Sequence, residues 1–386
     1  MDFRYTDEQL GFQETLQRWI SRDYGFEQRR ALSRSPLGYS AEAWAHFADL
    51  GLLALPFPEE FGGLGGNHVD LMVVMEQVGQ GLLLEPYWST VVLCGGLIRD
   101  SATESLKKRV LPEVAAGRLK LALATYEEAG RYELSHVGCT ATPRGTGWAL
   151  SGEKVAVLDV PSADVVMVSA RTSGDVADTD GISLFLVKRD APGLAVSEYQ
   201  TQSGGRAGDV RLESVVVEDA DVVGEVGKAF AALERATDVA IAALCAESVG
   251  IVMALNQATL SYLKTRKQFG VPIGTFQALQ HRMADMYIAG EQIRSMAIVA
   301  AVGADSEDAA ERHRAIAGAK AYVGQAVRFV GQQAVQLHGG MGIVDELMVS
   351  HYFKRLTMID LTLGDADYHL GKYSDSIVAR GAKSSV

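Results

Sequence analysis

Cysteine is scarce in this sequence. Only Cys94, Cys139 and Cys245 occur among 386 residues, widely spaced and without a C-x-x-C pair, which leaves neither a disulfide framework nor a thiolate zinc site. The eight histidines are scattered, with no ligand-like spacing to carboxylates, so no metal is expected. Basic residues are outnumbered: 36 Lys and Arg against 48 Asp and Glu leave a net charge of −12. That balance argues against a nucleic-acid binder, which needs a dominant basic surface. No apolar stretch is expected to reach the roughly 20 residues of a membrane span. The opening MDFRYTDEQLGFQETLQRW carries acids early and has no long apolar run, which argues against a signal or transit peptide. Repeats and low-complexity tracts are lacking too. The default compartment is then the reducing cytoplasm.

What is present is ordinary in bulk. Apolar residues make up 48% and charged residues 22%, typical of a globular chain, and the length allows two or three domains. Thr6 followed by Gln9 predicts a helix start. Trp44, Phe47, Leu50 and Leu53 predict a helical stripe from near Ser40. Residues 55–66, LPFPEEFGGLGG, are too rich in Pro and Gly for regular structure. Helical patterns return over 67–84 and 89–111. From Lys120 the pattern changes to short β-like runs at 121–124, 138–142, 148–150, 165–170, 182–187, 194–199 and 209–217. This spacing predicts a compact antiparallel barrel or sandwich. After Lys228 helices resume: a long one with Leu244, Ile251, Leu255 and Tyr262 on one face, then 277–304, 309–338 and 347–361. Its Ala and Gly content suits close packing in a bundle. Residues 381–386 are expected to fray.

One stretch stands apart, residues 262–286, YLKTRKQFGVPIGTFQALQHRMADM. A helical pattern enters, breaks at F-G-V-P, and a second leaves. Arg266, Phe269 and Gln277 flank the break. A guanidinium, an aromatic plate and an amide beside a helix start suit a ligand with a phosphate and a flat ring. A plain turn between core helices explains Gly270 and Pro272 but has no use for Arg266 or Gln277.

The order helix, β, helix now carries a resemblance. Residues 55–66 are similar to a P-E-x-x-G-G-x-G loop. Arg266 to Gly270, with Phe276, Gln277 and 284–286 (ADM), resemble an R-x-x-F-G…Q…A-D-M signature. Residues 336–342, QLHGGMG, resemble a Q-x-x-G-G-x-G turn, and 152–154 (GEK) with 191–193 (APG) resemble β-domain markers. Together they make the whole chain resemble the acyl-CoA dehydrogenase family. The resemblance implies an α+β fold: an N-terminal helical domain (1–118), a β domain (119–225) and a C-terminal four-helix bundle (226–386). It implies FAD, with Arg266 on the pyrophosphate, Phe269 near the adenosine, and Gln277, Gln336, Gly339 and Gly340 holding the rest of the dinucleotide tail across a subunit interface.

The same resemblance exposes what has changed. The family removes a substrate α-proton with a Glu, commonly in a Y-E-G-T stretch. Here that stretch is TLGD, with Leu363 at the Glu position. The alternative position on the long helix is Ala240, followed by Ile241 in place of Arg. Two carboxylates remain as candidate bases. Glu247 lies seven residues beyond Ala240 on the apolar stripe; the competing reading is a structural Glu paired with an Arg. Asp365 lies in the right loop, and its competing role is to cap a helix starting at Ala366. Ala156 and Leu158 stand where the family places a ring-covering Trp and Thr, and the E-P-x-x-G-S/A-D loop reads EEAGRYE at 127–133.

Retained adenosine contacts beside altered ring and base positions resemble the small subunit of heteromeric acyl-CoA dehydrogenases, such as the pimeloyl-CoA and steroid side-chain types. The resemblance implies α,β-dehydrogenation of an acyl-CoA thioester, an electron-transfer flavoprotein as acceptor, and a homo- or heterotetramer with another acyl-CoA dehydrogenase subunit. Two alternatives stay open: a non-catalytic partner that completes another chain's FAD site, and a flavin oxidase or monooxygenase on the same fold.

Overall fold

Local signals begin the chain as expected. A computed structural model describes residues 5–383. Thr6 Oγ1 accepts the Gln9 N–H while the Gln9 side chain accepts the Thr6 N–H, a capping box that starts α1 (Asp7–Asp23). There follow α2 (Phe26–Arg34), α3 (Ala41–Asp49), capped by Ser40, and α4 (His68–Gly81). The Pro- and Gly-rich 55–66 segment forms turns and one short 3-10 stretch, Glu59–Phe61. The helix expected over 89–111 is not continuous. A buried π-helix, Trp88–Gly95, runs into α5 (Gly96–Ser101), and Thr103 then caps a separate α6 (Glu104–Ala115). The Thr103 hydroxyl, accepting the Leu106 N–H, makes a new helix start where apolar periodicity alone shows no break.

The β region comprises β1 (Leu121–Ala124), β2 (Thr140–Arg144), β3 (Gly147–Leu158), β4 (Val165–Arg171), β5 (Ile182–Lys188), β6 (Leu194–Gln200), β7 (Arg206–Glu218) and β8 (Val222–Val223). They form one sheet in the order β6-β7-β3-β2-β4-β5-β8, with β1 on β4. Most pairs are antiparallel, as expected. However, β1 runs parallel to β4, and Thr140 of β2 meets Arg171 of β4 in parallel. Leu150, Val166, Phe185, Val210 and Val215 fill the core of this region.

After α7 (Phe230–Thr265) come a hairpin, β9 (Lys267–Gln268) and β10 (Val271–Pro272), then α8 (Gln277–Ala304), α9 (Ala309–His338), α10 (Met348–Leu361) and α11 (Ala366–Lys383). Of the expected frayed tail, 381–383 close α11 and 384–386 lie outside the described residues. Helix α7 departs from the expectation that no apolar stretch reaches membrane-spanning length. It is long and apolar enough by length and composition, but 89% of its apolar window is buried inside the fold. Abundant small side chains make it a core helix instead.

The chain divides into two compact units. One holds residues 1–31, 68–83 and 241–386; the other holds 32–67 and 84–240. In the first, α4 and α7 touch backbone to backbone. A Cβ on Gly79 would lie 2.0 Å from the Glu247 carbonyl oxygen, and one on Gly250 only 1.8 Å from that of Glu76. Leu255, Ile293, Val327 and Leu356 are buried in the same unit.

Candidate cofactor site

At the end of α7 the chain turns through Phe269 (φ 54°) and Gly270 (φ 81°), between the paired Gln268 and Val271. Two successive positive φ values are the hairpin geometry that follows strand twist. Gly270 adopts it freely, whereas Phe269 does so at a cost of about 1–2 kcal/mol. The strained ring is not used to fill the core: it is 91% exposed, meeting Phe276 edge-on at a centroid distance of 6.1 Å. Arg266 is exposed, and its main chain closes the hairpin base by accepting the Ile273 N–H (2.8 Å). Helix α8 starts directly afterwards at Gln277, and no side chain caps its first N–H groups. An open guanidinium, an open aromatic face and an uncapped helix start fit an anionic ligand that also carries a ring.

The second glycine motif lies at the same end of the bundle. Helix α9 ends at His338, whose ring stacks on Tyr262 of α7 at 4.4 Å. The next residue, Gly339, has φ 59° and ψ −142°, a conformation open to glycine only. A Cβ on Gly339 or Gly340 would meet nothing within 4 Å. Packing within the chain therefore does not explain Gly340, and an approach from outside would. Gln336 is exposed beside them. His338 is a packed turn residue: its Nδ1 lies 2.8 Å from the Ala334 carbonyl oxygen, and burial pushes its pKa down.

The two candidate bases are elsewhere in the same unit, and both are engaged. Glu247 is 3% exposed and receives a two-pronged hydrogen bond from Arg355 of α10, Nε to Oε1 at 2.5 Å and Nη2 to Oε2 at 2.7 Å. Asp365 Oδ1 accepts the Tyr368 N–H (2.9 Å), a cap for α11. Between α10 and α11, Leu363 is buried with φ 59°.

The loop that carries Leu363 and Asp365 is bolted from below. Fully buried Lys320 of α9 donates to the carbonyls of Ile359 and Asp360, last-turn acceptors that α10 leaves without helical partners. Burial pulls this ammonium down to about 8. The Asp360 carboxylate takes the Ala366 N–H (3.1 Å) and Arg328 (2.6 Å), and His369 Nε2 lies 2.9 Å from the Leu363 oxygen. Sequence reasoning missed Lys320 and Asp360. A lysine inside the otherwise Ala-rich stripe of α9 was the available signal.

In the other unit, Ala240 is buried and its carbonyl accepts the Trp88 indole N–H (3.0 Å). Lys154 of β3 is wholly buried and donates to Glu127 Oε1 (2.7 Å), Ser169 Oγ (3.0 Å) and the Thr125 carbonyl (3.3 Å). Burial alone would raise the Glu127 carboxyl, but Lys154 and the N–H groups of Gly138 and Cys139 outweigh it and hold it low. Arg171 donates to five backbone carbonyls, those of Ser135, Val137, Val176, Asp178 and Asp180, and so fixes the far end of the 127–137 loop. Ala156 and Leu158 lie just beyond Lys154, and neither offers a polar side chain.

Comparison with known proteins agrees with this layout. Family models match in order: acyl-CoA dehydrogenase, N-terminal domain at residues 6–118, middle domain at 122–216 and C-terminal domain at 229–377. Acyl-CoA dehydrogenase FadE12 of Mycobacterium tuberculosis is 30% identical, over 90% of both chains. A variant of the Tcur3481–Tcur3483 steroid ACAD is similar in structure, with a TM-score of 0.87 and 33% identity over 97% of this chain and 99% of that one. The ChsE4–ChsE5 complex from Mycobacterium tuberculosis gives 0.87 and 26%, over 98% and 99%. The chain belongs to the acyl-CoA dehydrogenase family.

Proposed function

We propose that this chain serves the FAD-dependent α,β-dehydrogenation of an acyl-CoA thioester as one subunit of a heteromeric acyl-CoA dehydrogenase. The observation that carries this reading is an asymmetry. Arg266, Phe269, Gln277, Gln336, Gly339 and Gly340 stand open at one end of the bundle. Both candidate carboxylates, by contrast, are already engaged, and the ring-side positions are Ala156 and Leu158.

On this reading Arg266 pairs with the pyrophosphate, Phe269 packs at the adenosine, and the two glutamines and two glycines hold the remainder of the tail. When bound, FAD supplies an acceptor for the hydride that leaves the substrate β-carbon. The α-proton needs a carboxylate within hydrogen-bond reach. Glu247 is tied by Arg355 and Asp365 caps α11, so their geometry favours a base on the partner subunit. The partner in this reading is another acyl-CoA dehydrogenase chain, in keeping with similarity to the ChsE4–ChsE5 complex. The steroid ACAD similarity favours a bulky acyl group. An electron-transfer flavoprotein is the acceptor the reading calls for.

The test is expression of the chain alone and together with a neighbouring dehydrogenase chain, followed by anaerobic titration with acyl-CoAs while flavin absorbance is followed. Bleaching only in the co-expressed complex is expected. A chain that by itself holds stoichiometric FAD and oxidises an acyl-CoA contradicts the reading.

A further inference from the structure

The residues fit one end of FAD and not the other, and the misfit has a built cause in the β region. Strand β3 leaves its ladder with β7 between Lys154 and Val157. In that bulge Val155 donates its N–H to the Tyr126 carbonyl (2.8 Å). Ala156, held at φ 53°, donates its N–H to Asp209 Oδ1 (3.0 Å). The Tyr199 hydroxyl donates to the same oxygen (3.0 Å). Ala156 and Asp209 are both exposed, so a flat ligand laid on this part of β3 would meet them directly.

An isoalloxazine ring presents chiefly acceptors along its pyrimidine and N5 edges, and a surface that holds it must offer donors. Here the N–H groups of Val155 and Ala156 are spent within the chain. The group facing outward is a carboxylate, which only accepts and carries negative charge. We infer that Asp209 latches the β3 bulge against the flavin ring, making this chain's own β region a non-binding surface and Asp209 a residue that decides which subunit takes the ring. This inference rests on the adenosine-clamp reading above and deepens it. Specificity of this kind is built by repelling the wrong arrangement as much as by attracting the right one. Burial and Asp209 both push the Tyr199 phenol up, so Tyr199 stays a donor to the latch across the working range.

Two probes separate the ends of the cofactor. Riboflavin, which has the ring without phosphate or adenosine, is titrated into the full chain while its fluorescence is followed; ADP, titrated separately, reports the clamp. The unmodified chain is expected to bind ADP and to leave riboflavin free. Asp209→Ala releases the Ala156 N–H and removes the charge, and is expected to tighten riboflavin binding by about tenfold or more with ADP affinity unchanged. Asp209→Asn keeps an acceptor of the same size and removes only the charge. It is expected to gain less, and it serves in place of the alanine variant should that variant not fold. Tyr199→Phe leaves the latch shut and is expected to gain nothing. Equal riboflavin binding by the unmodified chain and both Asp209 variants, whether tight or absent, overturns the inference. Failure of ADP to bind instead strikes the clamp reading, and the riboflavin comparison still decides the latch.

Discussion

Two sets of residues in this chain use their polar groups in opposite ways. Around Arg266 and Gly339, among the described residues, polar and aromatic groups are left over: a guanidinium with no carboxylate partner, a strained aromatic ring in solvent, a helix start with no side-chain cap and a glycine with open space where a Cβ would stand. Elsewhere the groups are engaged within the chain: in one unit the Ala156 N–H by Asp209, and in the other the Leu363 carbonyl by His369 and the Glu247 carboxylate by Arg355. Unspent groups mark surfaces kept for a ligand, whereas spent ones mark structure. On the proposed reading, the difference teaches that a family fold keeps its shape while internal pairs occupy the positions its chemistry would use.

Four experiments press on that contrast. The largest effect is expected from Arg355→Ala, which leaves Glu247 charged and buried without a partner; it should lower unfolding free energy by about 3–5 kcal/mol in chemical denaturation. If Glu247 were instead a poised base, the variant would lose activity with little change in stability. Next comes Lys320→Met. Near neutral pH, below about 8, the lysine is protonated in both folded and unfolded chains; above about 8 only the unfolded chain holds the proton. Stability of the unmodified chain relative to the variant should therefore rise between pH 7 and 10, by ~2–3 kcal/mol. A flat or falling difference would show that the ammonium is not desolvated under α10.

Arg266→Ala removes one charge-assisted contact and should weaken ADP binding by about tenfold to a hundredfold, with the melting temperature unchanged. Unaltered ADP affinity would detach Arg266 from the clamp. The smallest effect is expected from Asp365→Asn, since asparagine also caps helices: stability within about 0.5 kcal/mol, and turnover by the assembled complex within roughly twofold. Collapse of turnover by a thousandfold or more would return the base to this chain.

Legibility in the sequence followed the same divide. The cap at Thr6, the strand runs and the bundle helices were readable because local period and local cap agree with the fold. The residues proposed for the adenosine side stand out in the sequence because they sit in compact motifs at turns, where residue type answers to φ or to a ligand. What escaped depends on distant partners. Nothing near Leu121 signals a parallel pairing with Val165, and the break before Thr103 interrupts a pattern that remains apolar on both sides. Helix α7 has the composition of a membrane span until its burial among other helices is seen. Asp209 looks like an ordinary surface residue of its strand, and Lys320 stands out only as a lysine within an Ala-rich stripe. Their roles come from the α10 carbonyls and the β3 bulge, each far away in the chain.

The most direct test of the central claim is the flavin-to-chain ratio after purification, measured for this chain alone and for its complex with a second acyl-CoA dehydrogenase chain. A colourless chain alone, and a complex with roughly one flavin for each pair of chains, is the predicted result. One flavin per chain in the isolated protein, bleached by an acyl-CoA, would contradict it.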